Sequence, residues 1–391
     1  MTESLVATDA PQLLAALLLD EEEGREMLDV LRPEVVTQTR AAYDALYRAP
    51  QALPVAVLHG LAAVTADHQN SETLSRWHRA QGADAALAAE DRPADPALAA
   101  LRDHVDALSL SPALLTAADQ DALAAAGHDA RTVVLVSQLV AFESHLLRLL
   151  DGLAALHGLT ALAAPAPARA PHTRGRAVAH GGTTRTGLTR PAAYTREQLQ
   201  WEPWLPVPAE DELTEEQRES FASKATTNSV YFRMLSLTPA LTRARSALDN
   251  AIFLPRNGLP KAERELAAAV TSKVNDCIYC ASVHARKSAA LARDEQSVDT
   301  LLAASLERDE DWIAADLDPL SAGQSARWSA LVDAAAALSR PRPALRPAHL
   351  EALRAEGLTD PEIADLLSAA AFFAWANRLM LSLGEPSLPS A

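Results

Sequence analysis

Apolar positions recur at helical spacing through most of the chain and predict a protein built from α-helices. From Leu31 to about His157 the helical pattern is interrupted only by short proline and glycine breaks. It resumes at Asp211 and continues through Leu383, with a polar, proline-rich break near 340–347. Alanine and leucine dominate, and aromatic residues make up only 4% of the chain. This composition also favours helix.

Residues 163–208 break the helical pattern. This stretch is rich in proline, glycine and arginine, and it contains no acidic residue before Glu197. Such a composition is typical of an extended linker. The positive charge of this segment is compatible with binding to nucleic acid or to an acidic partner. The favoured interpretation is a tether that is solvated or lies over the acidic domains. We expect Trp201 and Trp204 to dock the segment onto the domain that follows.

The two helical regions repeat each other. Residues 32–82 align with 238–288 without a gap, and residues 127–149 align with 357–379. The offset between the copies is larger for the second block than for the first, so the second copy carries about 24 extra residues. We expect these extra residues in the acidic region 307–323.

The repeat divides the chain into two related units. A length of 391 residues suits two helical domains better than one, and 49% of the residues are hydrophobic, so each unit can bury a core. We therefore predict an all-α fold of two tandem helical domains related by an internal repeat. The predicted boundaries are 1–160 for the first domain, 161–210 for the linker and 211–391 for the second domain.

Both cysteines of the chain lie in the second repeat. Cys277 and Cys280 are three residues apart, and His284 follows four residues later. In a helix these three positions fall within an arc of roughly 60°, so two sulfur atoms and an imidazole share one face. Asn275 and Asp276 give a good N-cap signal. This predicts Cys277 in the first helical turn, where the helix dipole favours a thiolate.

Glu265 lies twelve residues before Cys277 and is predicted on the preceding helix, which opens at or near Pro260. From there its carboxylate can reach His284 across the helix–helix contact. Glu263 competes for this role but lies about 200° away around the helix, and the spacing to the cysteines selects Glu265. A thiol pair, a base and a carboxylate that orients the base are the parts of thiol redox chemistry.

The pattern E-x11-C-x2-C-x3-H resembles the alkylhydroperoxidase D-like branch of the carboxymuconolactone decarboxylase superfamily. The resemblance covers residues 211–385 well and 31–160 weakly. It implies a fold of two tandem alkylhydroperoxidase-like helical domains. It also implies a peroxidase that reduces alkyl hydroperoxides through a sulfenic acid and disulfide cycle, without an organic cofactor. An external dithiol protein, lipoyl-bearing or thioredoxin-like, is the implied reductant, and a homo-oligomer is the implied assembly.

The resemblance also implies a role for each residue of the motif. Cys280 corresponds to the peroxidatic cysteine, which attacks the peroxide and becomes a sulfenic acid. Cys277 corresponds to the resolving cysteine, and His284 with Glu265 corresponds to the proton relay. The best-studied members carry a histidine directly before the second cysteine, whereas this chain has Tyr279. That departure bears on how Cys277 is activated.

The first repeat lacks the redox groups. It has Ser71, Leu74 and His59 at the positions of the two cysteines and the glutamate, and only the histidine is retained, as His78. A leucine cannot form a sulfenic acid, and a serine cannot form a disulfide. We therefore predict that the first domain is redox-inactive and serves as a structural or oligomerisation partner. This fits a resemblance to two-domain members in which an inactive domain precedes an active one.

Other interpretations of the cysteine pair remain open. One alternative is that the two cysteines are simply small hydrophobic side chains buried in the core. Another is that they form half of a zinc site, which would need distant histidines as the other ligands. A non-enzymatic redox sensor or scaffold would use the same disulfide. A lactone decarboxylase like the enzyme that names the superfamily would act without a cysteine pair, so the two cysteines argue against it.

Two further clusters are expected to be structural. His59, His68 and His78 lie in one predicted helical region, but spacings of nine and ten do not place them on one face at coordination distance. We expect core or surface histidines and no metal site. The apolar residues 372–375 are expected in the core or in a subunit interface, with a wall of the substrate pocket as the functional alternative.

Charge and composition also limit the function. A formal charge of -16 argues against general nucleic-acid binding. The apolar run 13–19 leads directly into acidic residues, so no signal peptide is recognised. No apolar run approaches the roughly 20 residues that span a bilayer. Two cysteines in one motif do not form a secreted disulfide framework. We therefore expect a cytoplasmic protein without a membrane partner.

Overall fold

The computed structural model describes residues 6–87, 92–159, 180–221 and 227–389. These residues form an all-α protein with one small two-stranded sheet, which confirms the predicted fold class. The helices of the first half are α1 (Val6–Leu19), α2 (Pro33–Tyr47), α3 (Val55–His68), α4 (Glu72–Ala80), α5 (Pro96–Leu110), α6 (Ala117–Ala125) and α7 (Ala130–Leu156).

The second half follows the same order with additions. Its helices are α8 (Glu215–Glu219), α9 (Val230–Leu235), α10 (Pro239–Phe253), α11 (Lys261–Val274), α12 (Ile278–Ala292), α13 (Glu295–Ala303), α14 (Ala326–Ser339), α15 (Pro347–Ala355) and α16 (Asp360–Ser382). The two strands are β1 (Gln200–Pro203) and β2 (Gly384–Ser387).

The helix boundaries reproduce the repeat seen in the sequence. Helices α2, α3 and α4 recur as α10, α11 and α12, and each pair begins at aligned positions of the first sequence block. Helices α7 and α16 likewise begin at aligned positions of the second block. Proline at the first helical position starts both α2 and α10, where its missing N–H has no intrahelical partner to lose.

The two halves pack through corresponding helices. Helix α7 lies along α16, and α2 packs against α10. Helix α7 is long and apolar enough to cross a membrane, which the sequence interpretation did not anticipate, but its apolar stretch is entirely buried within the protein. Its hydrophobicity therefore serves the shared core.

Two buried arginines tie the halves together in a reciprocal way. Nη2 of Arg378 on α16 donates to the carbonyl oxygen of Ser109 in the first half, at 2.9 Å. Nη2 of Arg148 on α7 donates to the carbonyl oxygen of Arg340 in the second half, at 2.6 Å. The arginine on each long helix thus donates to a carbonyl oxygen at the C-terminal end of a helix in the other half, where that oxygen has no partner within its own helix.

The segment that precedes the second half packs against the C-terminal residues of that half. Strand β1 pairs antiparallel with β2, and Nε1 of Trp201 donates to the Met380 carbonyl oxygen at 3.1 Å. Nε1 of Trp204 donates to Glu385 at 3.1 Å. A Cβ atom at Gly384 would overlap the Glu202 backbone and the Trp201 ring, so only glycine allows this approach.

The docking expected of Trp201 and Trp204 is thus observed, while the strand pair was not predicted. Residues 160–179 of the predicted linker lie outside the described residues. The division at residues 160 and 210 stays a prediction.

Candidate active site

The cysteines lie where α11 turns into α12. Asn275 is the C-cap residue of α11, Asp276 adopts a left-handed conformation with φ of 58°, and Cys277 is the N-cap residue of α12. The first repeat builds the same turn with Asn70 at φ of 64°. Asparagine and aspartate tolerate this conformation better than most residues, so the Asn-Asp pair marks the turn between the helices.

The prediction that Cys277 lies in the first turn is therefore wrong by one position, because Asp276 is taken up by the turn. The prediction that its position favours a thiolate is also wrong. Burial raises the pKa of Cys277 well above its ordinary value, and a hydrogen bond with Cys280 and the charge of that residue raise it further. Loss of hydration outweighs the helix dipole at this site.

The two thiols are free, buried and close to each other. Cys277 is 1% exposed and Cys280 is 6% exposed. Burial and the contact with Cys280 hold the proton on Cys277. Cys280 lies four residues before His284 on α12, so the thiol and the imidazole share one helix face.

Glu265 and His284 are in direct contact, as the spacing predicted. Oε2 of Glu265 lies 2.5 Å from Nδ1 of His284. The carboxylate is 1% exposed, and the Nζ atom of Lys287 lies 3.9 Å from its other oxygen. The edge-to-face contact with Phe373, at 4.3 Å between ring centroids, fixes the plane of the imidazole. This arrangement directs Nε2 of His284 away from the carboxylate.

The protonation of this couple follows from burial and pairing. Burial lowers the pKa of His284, although hydrogen bonding to Glu265 opposes the shift. Burial would raise the pKa of Glu265, but the hydrogen bond and charge of His284, with the charge of Lys287, bring it below its ordinary value. The couple therefore offers a neutral imidazole backed by a carboxylate at neutral pH.

Glu263 takes no part in this site. Its two oxygen atoms accept bonds from Nε and Nη2 of Arg327 at 2.7 and 2.8 Å. The two glutamates thus point in different directions from α11, as their positions around the helix predicted, and Glu263 provides a natural control for Glu265.

Two polar residues near the thiols were missed in the sequence. Arg245 on α10 is 3% exposed, and its Nε and Nη1 atoms have no hydrogen-bond partner among the described residues. Its guanidinium lies 5.0 Å from the ring centroid of Phe372 and 5.7 Å from that of Tyr231. The Tyr231 hydroxyl is likewise buried without a partner among the described residues.

Electrostatics link Tyr231 both to the cysteines and to Arg245. Burial raises the pKa of Tyr231, the charge of Arg245 opposes this, and the charges of Cys280 and Cys277 add to it. The repeat carried a signal for Arg245, because the first half has Thr39 at the corresponding position. A buried charge present only in the copy with cysteines points to a role beside them.

Asp276 anchors distant segments beside Cys277. Its carboxylate accepts bonds from Nε2 of His180 at 2.9 Å, from the Tyr194 hydroxyl at 2.5 Å and from Nε1 of Trp312 at 2.7 Å. Burial would raise the pKa of Asp276, but the hydrogen bond and charge of His180, the charge of Arg308 and the hydrogen bond from Tyr194 lower it. Trp312 belongs to the insertion predicted at 307–323, so the extra residues of the second copy pack behind the cysteine turn.

The three histidines of the first half do not all lie on one helix, in contrast to the expectation from the sequence. His59 lies on α3 and His78 on α4, and their Nδ1 atoms are 2.9 Å apart. His68 contacts Asp106 at 2.7 Å, and all three side chains are buried. The sequence interpretation overlooked the turn between α3 and α4, which folds two of these residues against each other.

No group of three or more histidine, cysteine, aspartate or glutamate side chains in the described part of the chain is arranged to hold a metal ion.

Comparison with protein families agrees with the resemblance seen in the sequence. Residues 239–309 match the carboxymuconolactone decarboxylase family, and this range contains the whole cysteine motif. A similar crystal structure is described as an alkylhydroperoxidase AhpD core, an uncharacterized peroxidase-related protein from Ralstonia eutropha JMP134. It is 26% identical and covers 44% of this chain and 85% of its own, with a TM-score of 0.36. No curated protein matches the chain.

Proposed function

We propose that this protein is a thiol-dependent peroxidase that reduces hydroperoxides through a disulfide cycle of Cys280 and Cys277. The observation that carries the proposal is the Glu265–His284 contact of 2.5 Å beside two adjacent, buried, reduced thiols. A buried pair of thiols needs neither a carboxylate nor an imidazole for packing alone. The combination supplies a nucleophile, a base and an orienting group.

The first step oxidises Cys280. His284 takes the proton of the Cys280 thiol through its free ring nitrogen, and the thiolate attacks one oxygen atom of the peroxide. An S–O bond forms, the O–O bond breaks, and the leaving alkoxide takes the proton from His284 to give an alcohol. Cys280 is then a sulfenic acid. The unpartnered N–H groups of Arg245 and the Tyr231 hydroxyl supply donors for the negative charge in this step.

The second step forms the disulfide. The Cys277 sulfur attacks the Cys280 sulfenic acid, an S–S bond forms, and the hydroxyl group leaves with the Cys277 proton as water. An external dithiol then restores both thiols. We propose that the cycle uses no bound cofactor and no metal. We also propose that the protein acts in the cytoplasm as a homo-oligomer.

The test is consumption of cumene hydroperoxide with dithiothreitol as reductant. Wild-type protein should turn over, and Cys280→Ser should not. In the absence of dithiothreitol, Cys277→Ser should consume one equivalent of peroxide and stop, with a sulfenic acid on Cys280 that dimedone traps. Disulfide formation without turnover would identify a redox sensor instead. Decarboxylation of carboxymuconolactone that survives loss of both thiols would identify the lactone enzyme.

A further inference from the structure

One face of α12 leads from solvent to the Cys280 thiol. From the buried end outward this face carries Cys280, His284, Lys287 and Leu291, which fall within an arc of about 60° around the helix. The exposed fraction rises along it, from 6% for Cys280 to 13% for the His284 side chain and 50% for the Lys287 side chain. Leu291 is also 50% exposed. A peroxide that reaches Cys280 beside His284 from this end of the helix therefore passes Lys287.

The start of α11 adds a second lysine to this entrance. The Ser288 hydroxyl donates to the Ala262 carbonyl oxygen at 2.9 Å, so the first turn of α11 lies beside the outer half of α12. Lys261 is the exposed first residue of that turn. Burial would raise the pKa of Glu265, but the hydrogen bond and charge of His284 and then the charges of Lys287 and Lys261 lower it. Both lysines thus lie within electrostatic range of one carboxylate.

The two ammonium groups keep donors free for a ligand. Nζ of Lys287 lies 3.9 Å from Glu265, which is an ion-pair distance but too long for a hydrogen bond. Lys261 forms no ion pair with another residue of the described part of the chain. The whole chain carries a formal charge of -16, so this pair of lysines is a local exception to an acidic protein. Their N–H groups can bind an anion.

Exposed leucines flank the lysines. Leu254 and Leu291 are 61% and 50% exposed, which makes them the two most exposed large hydrophobic residues among those that the structure describes. Leu254 follows Phe253, whose ring centroid lies 5.9 Å from that of His284. Leu291 lies one turn beyond Lys287 on α12. The entrance therefore combines positive charge with apolar surface, and an alkyl chain that ends in an anion is complementary to both.

We propose that this entrance selects hydroperoxides whose alkyl chain ends in a carboxylate, with Lys261 and Lys287 binding the carboxylate while the peroxide group lies at Cys280. The inference rests on the proposed function and deepens it, because it names the class of peroxide. Lys287 is seven residues after Cys280, which is about 10 Å along the helix axis. The preferred substrate has its two polar ends separated by a chain of that length, as in 9-hydroperoxynonanoic acid.

The test compares this acid with its uncharged methyl ester. If the lysines acted only on the Glu265 carboxylate, their loss would change turnover of both substrates equally. The readout is therefore the ratio of kcat/KM for the acid to kcat/KM for the ester, with dithiothreitol as reductant. Any effect on the chemistry at Cys280 is common to both substrates and cancels in the ratio. A loss of folded protein cancels as well.

We expect Lys261→Gln and Lys287→Gln each to lower this ratio by about three- to fivefold, and the double variant to lower it by about tenfold or more. Lys287→Arg should retain most of the ratio, because it keeps the charge. Arg131→Gln is the matched control, since Arg131 is an exposed cation in the first turn of α7 in the first half, and it should leave the ratio unchanged. A ratio that stays constant in the double variant would overturn the proposal.

Chain length tests the placement of the substrate. The acid 5-hydroperoxypentanoic acid is too short to join Lys287 and Cys280, so its ratio to its own methyl ester should be lower in the wild type. That ratio should also respond little to the double lysine variant. Equal ratios for the two chain lengths would contradict the proposed placement.

A binding measurement separates this inference from the proposed function. Isothermal titration calorimetry with 9-hydroxynonanoate, the alcohol that the reaction would release, needs no turnover. Binding that weakens in the double lysine variant, in a protein that consumes no peroxide, would reject the peroxidase and support the carboxylate site. Peroxide turnover without lysine-dependent binding of 9-hydroxynonanoate would reject the carboxylate site and leave the peroxidase in place.

Discussion

The Nδ1 atom of His59 lies 2.9 Å from the Nδ1 atom of His78. In the repeat these are the positions of Glu265 and His284, which are likewise in direct contact in the second half. Nε2 of His78 contacts Glu143 at 3.0 Å in a fully buried environment. The first half thus retains a buried acid–base network but has no thiol beside it.

We expect this network to stabilise the protein without taking part in turnover. Glu143 also accepts a bond from the Tyr47 hydroxyl at 2.6 Å. Glu143→Gln removes the buried charge that both donors contact and should lower the free energy of unfolding by about 1–3 kcal/mol. Urea unfolding and peroxide consumption measure the two effects. A large loss of turnover in a variant that is still folded would show that the first half contributes to the chemistry.

Glu265→Gln should reduce peroxide turnover by about tenfold or more, because the imidazole loses the charge that supports its protonated form. Glu263→Gln is the matched control and should leave turnover unchanged, since its carboxylate pairs with Arg327. Equal effects of the two substitutions would mean that the contact with His284 has no role in the reaction.

The same variant should change the pH dependence in a defined direction. Burial lowers the pKa of His284 and Glu265 opposes this, so removal of the carboxylate lowers the pKa further. Activity requires the neutral imidazole and falls as the pH drops through that pKa. The acid limb of kcat/KM should therefore lie below about pH 6.5 in the wild type and at still lower pH in Glu265→Gln. A limb that moves upward would contradict the assignment.

Arg245→Met should reduce peroxide turnover by about 10- to 100-fold, because it removes donors for the charge that develops on oxygen. Arg245→Lys should recover part of the rate. Since replacing a buried cation by an apolar side chain is often neutral or stabilising, the loss should occur without loss of folding stability. Unchanged kinetics in Arg245→Met, measured with cumene hydroperoxide, would restrict Arg245 to a structural role.

The protein should lose stability as the pH falls below neutral. Burial lowers the pKa values of His145 and His59 to about 4. The unfolded chain binds protons near pH 6.5, whereas the folded chain resists them until about pH 4. Stability is therefore complete above pH 6.5 and declines between these values, by about 3 kcal/mol for the fully buried His145.

His145 lies among Phe142, Phe372 and Trp375 and titrates only on unfolding. His145→Leu should therefore reduce the number of protons taken up on unfolding by one, and the free energy of unfolding should depend less steeply on pH. The exposed His157 provides the control substitution, His157→Leu. Urea unfolding at several pH values gives the slope. An equally steep slope in His145→Leu would show that His145 does not titrate as described.

Much of the architecture followed from the sequence because its causes are local or repeated. Proline and glycine placement set the helix boundaries, and the internal alignment carried the elements of one half onto the other. The spacing of Glu265, Cys280 and His284 placed them on adjacent helices. Helical periodicity showed that only one of Glu263 and Glu265 can face the cysteines, and the spacing to the motif selected Glu265. Glu265 is the residue in contact with His284, while Glu263 pairs with Arg327.

Other features depended on contacts between residues far apart in the chain. The direction of the pKa shift at Cys277 was missed because burial depends on what covers the helix start, while sequence shows only the dipole. Tyr231 and Arg245 come from two other helices, and no spacing rule links them to the cysteines. Strands β1 and β2 are separated in sequence by most of the second half, and local propensity does not predict that two such distant segments pair.

The sequence by itself determined the helices, the repeat, and which half holds the thiols, since these depend on short-range periodicity and residue identity. Only the tertiary structure decided that Cys277 is buried and keeps its proton. That property arises from the loss of water around the sulfur, and burial depends on how distant parts of the chain pack over the start of α12.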